Sequence, residues 1–135
     1  RRLLEDKQYQ KSIEYYERFI AYNPDSILHD DARYQVAYIY DHYLFDYRKA
    51  LENYGILLAN YPKSHFGRMA EFRVAYIQNH ADFDFEPLAA FERARLTVNE
   101  GEPREAIATV EKTLAGFPES SLREDMIFWL ASAMR

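Results

Sequence analysis

Four side chains able to bind a metal alternate over seven residues in His80-Ala81-Asp82-Phe83-Asp84-Phe85-Glu86. A calcium loop needs more oxygen ligands and a glycine at its sharp turn, and zinc prefers fixed His or Cys pairs. Neither pattern is met. The segment reads as a polar loop, with Asp84 capping the next helix and Pro87 in its first turn. His42 beside Asp41 and Asp46 has the residue types of an acid–base pair, but no nucleophile or oxyanion donor accompanies it. The chain has no Gly-rich phosphate loop, no HExxH and no GxSxG. No catalysis, cofactor or bound metal is expected. Arg1, Arg2, Lys7, Lys11 and Arg18 gather near the start, but at helical spacing they mix with Glu5, Asp6, Glu14 and Glu17. That is the pattern of a solvated face rather than of a nucleic-acid or lipid contact.

The bulk composition narrows the classes further. A chain of 135 residues suits one compact domain. The net charge is −5 with Lys and Arg scattered, which argues against a phosphate-tracking surface and hence against a nucleic-acid partner. With 48% apolar and 29% charged residues the chain is of the folded kind. No run approaches the roughly 18 uncharged apolar residues of a membrane-spanning helix, so no direct insertion is expected in this segment. The absence of cysteine removes disulfides, thiolate metal sites and cysteine nucleophiles. The chain opens Arg1-Arg2-Leu3-Leu4 and ends at Arg135 inside a helical pattern, so it is expected to be a slice of a longer protein. The 12 Tyr and 9 Phe stand against 4 Gly, and so many rings call for a repeated structural cause.

That cause is internal repetition. Asn23-Pro24-Asp25-Ser26, followed by Ala32 to Ile39, recurs 38 residues later as Tyr61-Pro62-Lys63-Ser64, followed by Ala70 to Ile77. A third copy opens Phe117-Pro118-Glu119-Ser120, at an offset of 56 from the second. The intervening segments match too. Tyr9 and Tyr16 stand 38 residues before Tyr47 and Tyr54. The spacing of Ala50, Leu51, Tyr54, Leu57 and Leu58 is a helical stripe, not a strand alternation.

Each repeat therefore reads as two antiparallel helices, with Pro and the following Ser or Asp ending one helix and preparing the next. The pattern predicts helices near 8–22, 27–43, 47–60, 65–80, 86–99, 103–115 and 121–134, and no strand. Ser121-Leu122-Arg123-Glu124 reads as a capping box. Gly101 and Pro103 read as a stop and a start. Ala37 and Ala75 on first helices, and Ala50 and Ala106 on second helices, are expected at crossings where small side chains let backbones approach. Segment 86–99 reads equally as the second helix after 65–80 or as the first before 103–115. The fold class is all-α, a stack of antiparallel helical hairpins. It is a single domain 1–135 with units near 1–24, 25–62, 63–118 (holding an irregular extra helix) and a partial 119–135.

Tyr40, Tyr47, Ala50, Tyr54 and Pro62, and again Gly101, Ala106 and Pro118, resemble the signature of the tetratricopeptide-repeat family. The long Pro-x-Ser connector resembles bacterial cell-envelope members of that family, of the Tol–Pal coordinator and outer-membrane assembly lipoprotein type. The resemblance implies a non-catalytic scaffold that binds a peptide or partner protein along a concave surface lined by first helices. Carried over residue by residue, that surface presents Asp31, Tyr34, Tyr38, Asp41 and His42 from one repeat. The next presents Met69, Phe72, Tyr76, Asn79 and His80. A periplasmic or outer-membrane-associated location follows from the connector. A cytoplasmic adaptor, or a regulatory domain attached to an enzyme elsewhere in the chain, is the alternative.

Overall fold

A computed structural model describes residues 2–135, with side chains described from Glu5 onward. Arg1 and the Arg2 side chain, part of the basic cluster read above, lie outside the described residues. Helices α1 (Arg2–Tyr22), α2 (His29–His42), α3 (Tyr47–Asn60), α4 (Gly67–Asn79), α5 (Glu86–Asn99), α6 (Pro103–Gly116) and α7 (Arg123–Met134) follow one another, with a short 3-10 turn at Asp82–Phe85. No strand occurs among the described residues. The fold is thus the all-α helical-repeat type that the repeat spacing calls for. The chain divides into two compact units, one ending at Tyr76 and one running Ile77–Arg135, so α4 contributes residues to both.

The Pro-x-Ser connector is built the same way three times. The N–H groups of Asn23, Tyr61 and Phe117 donate to Phe19, Leu57 and Thr113 and close the preceding helices. Those same three residues then accept at their carbonyls from the N–H of Ser26, Ser64 and Ser120. Each turn thus has Pro at its second position, where its fixed φ suits the bend. Each serine hydroxyl accepts the N–H two residues on, at 3.1, 3.1 and 3.0 Å. Each serine carbonyl then accepts the first N–H of the new helix. Orphan backbone groups at both helix ends are satisfied inside the connector. The third copy corrects the reading of Ser121 as a capping residue. Leu122 is the N-cap of α7 and makes no side-chain cap bond, and the hydroxyl that accepts its N–H is that of Ser120.

In the first unit α2 packs on both α1 and α3. Ala37 and Ala50 are fully buried, as a close helix crossing requires, with Val36, Tyr54 and Leu57 around them. Ile13, Val36 and Ile39 form a cluster against which Tyr9, Tyr16, Tyr40 and Tyr43 lean. Between α2 and α3 the chain needs one residue more than a regular turn. Phe45 takes it up in the left-handed region at φ 54°, and Asp46 then caps α3 by accepting the Lys49 N–H at 3.2 Å. Ala75, predicted at an equivalent crossing, is exposed. On α4 the fully buried positions are Ala70 and Ile77.

In the second unit α6 packs on both α5 and α7. Ala94 and Ala106 are buried, which makes α5 the antiparallel partner of α6. Gly101, at φ 89°, ends α5 with N–H bonds from Gly101 to Val98 and from Glu102 to Thr97, the paired bonds of a Schellman ending. Pro103 then starts α6. Asp84 does not cap α5: the N-cap is Phe85, and Pro87 does fall in the first turn. Phe83, Asp84 and Phe85 are all left-handed, at φ 54°, 55° and 66°. This costs about 1–2 kcal/mol per residue against the right-handed form.

Two substitutions separate the crossing positions. Ala37→Leu overpacks the α2 crossing and should lower stability by about 1–3 kcal/mol. Ala75→Leu, on an exposed face, should stay within about 0.5 kcal/mol of the parent. Thermal melts of both variants check this.

Candidate functional site

Ala37 and Asp41 are one helical turn apart on α2 and so share a face. That face is the buried one, and Asp41 is 0% exposed. A carboxylate without solvent must be matched by donors. Tyr54 Oη donates to Oδ2 at 2.7 Å from α3. Arg73 donates from α4, through Nε to Oδ2 at 2.7 Å and through Nη2 to Oδ1 at 2.5 Å. This two-point fork is the strong geometry for a guanidinium and a carboxylate. His42 Nε2 lies 3.3 Å from Oδ2. The Arg73 guanidinium also sits over the Tyr76 ring, 5.0 Å from its centre. Burial, reinforced by the Asp41 charge and hydrogen bond, pushes the Tyr54 phenol far above its ordinary range, so it stays a donor. A second polar tie joins α1, α2 and α3: Arg33 Nη1 reaches Glu17 at 2.9 Å and Asn53 Oδ1 at 2.7 Å.

The first-helix face is only partly open. Tyr34 is buried, stacked on Phe66 at 4.9 Å and tilted against Tyr54. Tyr38 is half-buried and covers His42 at 4.2 Å between ring centres. Burial raises both phenols above their ordinary value, with the Asp41 charge adding to it. Met69 and Phe72 are 48% and 71% exposed on α4, and Tyr76 is half-buried beside them. Asp41, offered as a partner contact, has no surface to offer. Asp31 belongs to a different feature, a groove of about 500 Å³ between α1 and α2. Asn79 and His80 fall in the second unit. The sequence reading missed Arg73 and Tyr54 as partners of Asp41 and missed the α1 side of the groove.

In the second unit His80 Nδ1 lies 2.8 Å from Ser121 Oγ, which donates to Asp82 Oδ1 at 2.5 Å. The residue types are those of a hydrolase triad, but the order is wrong. A nucleophilic serine hands its proton to an imidazole, and here the hydroxyl proton faces the carboxylate. Burial alone would raise the Asp82 carboxyl, but the Ser121 hydroxyl and N–H outweigh it and hold the carboxyl below its ordinary value. The pair fastens the left-handed turn to the start of α7. No group of three His, Cys, Asp or Glu side chains able to hold a metal occurs among the described residues.

Two consequences of the buried pair are measurable. Arg73→Met strands the Asp41 charge and should cost about 3–5 kcal/mol in denaturant unfolding. The Tyr54 proton is held more firmly folded than unfolded. The stability it lends is complete below about pH 10, the ordinary tyrosine value, and is lost as pH rises beyond it. Unfolding curves from pH 8 to 11 should show this decline in the parent and a shallower one in Tyr54→Phe.

No curated protein and no solved structure matches the chain. Residues 2–26 and 31–64 match the family described as tetratricopeptide repeat. The second match spans α2, α3 and the connector after them, a complete helix pair. Such repeats generally mediate contacts between proteins. Over these two stretches the chain belongs to the tetratricopeptide repeat family.

Proposed function

We propose that the chain is a non-catalytic scaffold that holds a peptide or partner protein on the face formed by α2 and the first part of α4. The supporting observation is the exposed pair Met69 and Phe72 beside half-buried Tyr38 and Tyr76. Exposed apolar side chains next to rings already fixed in place suit a binding surface, because little side-chain freedom is lost on contact. The ring positions are held from below: Tyr38 rests on His42, Tyr76 lies under Arg73, and both supports touch Asp41. Asp41 thus serves the face by positioning it. The non-catalytic reading draws on the same geometry, since the two acid–base look-alikes have their protons and lone pairs committed to structural bonds.

The connector style further supports a bacterial envelope or assembly complex as the setting, with a periplasmic or outer-membrane-associated location. Fractionation of the protein in its native cell tests that placement. Recovery in the cytoplasmic fraction would overturn it and favour a cytoplasmic adaptor.

Affinity capture from the native cell tests the face. Phe72→Ser and Met69→Ser, with helix content unchanged by circular dichroism, should each weaken capture of the partner by roughly 30-fold, the loss of a central contact. Full capture by the double variant would remove this face as the binding surface.

A further inference from the structure

The open groove between α1 and α2 has a filled counterpart one repeat later. In the filled slot, α2 lies against Tyr54 of α3 and against Phe66, Met69 and Arg73 at α4. Tyr34 stacks on Phe66 and reaches Met69, while Asp41 takes Tyr54 and Arg73. The residues 38 positions earlier are Tyr16, Leu28, Asp31 and Gln35. All four line the groove. It is therefore the seat of a helix, and its rim is apolar, with Tyr15 and Leu28 66% and 52% exposed.

The lining also differs from the filled slot in a way that selects the occupant. Met69, the apolar contact of Tyr34, is replaced by the carboxylate Asp31, and the cation Arg73 by the neutral Gln35. At the position that would face Asp31, the first helices of this chain carry Tyr34, Phe72 and Phe128. None is basic. A repeat helix of a second copy would cover Asp31 without a cation, and a covered, unmatched carboxylate costs affinity. We infer that the α1–α2 groove docks an amphipathic helix of a partner protein that sets a lysine or arginine against Asp31. Seven residues further on, that helix carries a hydrogen-bonding side chain, in the place of Asp41, against Tyr16 and Gln35. Of the face proposed above, this groove shares Asp31 alone, so either assignment can fail without the other.

Helical peptides test the groove. The probe is the segment 28–43, which fills the equivalent slot, made with Tyr34 kept, with Tyr34→Arg and with Tyr34→Glu. Fluorescence anisotropy against the whole chain should show the Arg peptide binding about tenfold more tightly than the Tyr peptide, with the Glu peptide weakest. Asp31→Lys should reverse the order, and Asp31→Asn should remove it, with helix content of both checked by circular dichroism. Binding of all three peptides alike, binding indifferent to residue 31, or no binding at millimolar peptide would overturn the proposal. Sedimentation equilibrium supplies the other arm. A dimer abolished by Leu28→Glu would make a second copy the occupant. Loss of peptide binding when the chain is extended upstream would make it a segment of this protein.

Discussion

Asp41 has no contact with solvent, so its charge is tolerable only while Tyr54 and Arg73 surround it. Three helices meet at that condition. α2 supplies the carboxylate, α3 the phenol and α4 the guanidinium. A buried ion pair adds little net stability over a well-packed apolar contact. What it adds is register. Sliding α4 by one turn, about 5.4 Å, would still leave apolar surfaces touching but would take the guanidinium out of reach of the carboxylate. The rings above the pair inherit that register, since Tyr38 leans on His42 and Tyr76 lies under Arg73.

The second unit solves a different problem. Three consecutive left-handed residues turn the chain into α5, and none of them is glycine. Such a turn persists only where its surroundings over-determine it. Here Asp82 is held twice by Ser121, and Phe83 packs on Phe117 with ring centres 5.1 Å apart. The cluster that looked like a metal loop in the sequence is the fastening of a strained turn. Its acidic and hydroxyl groups are spent on one another.

The helices were legible because the repeat writes each start and stop several times over. A single Pro-x-Ser is weak evidence for a boundary, but three copies at matched positions are strong. Ala37 and Ala50 were legible for the same reason. Ala75 was not, because repetition copies residue types while burial depends on the neighbour that happens to stand opposite. The site was harder to read. Asp41 could be placed on the face of Ala37 by the turn of the helix, yet its partner Arg73 is 32 residues away, and no local spacing announces the pair. The 38-residue offset, applied to Arg73, returns Gln35, so the copy that would have advertised an ionic position is neutral. Asp84 was read as a cap from a rule of sequence that the left-handed backbone overrides.

The three connectors bear on how such a chain can lengthen. Each closes its own backbone hydrogen bonds within about a dozen residues and borrows nothing from distant elements to do so. A stretch of gene copied from one proline codon to the next would carry its own start and stop, and joining it to its neighbour would expose no unsatisfied amide. The third connector kept these bonds although the spacing before it grew from 38 to 56 residues. Duplication and insertion between connectors are thus structurally cheap in this chain, and the length of the array is free to vary while the joint stays the same.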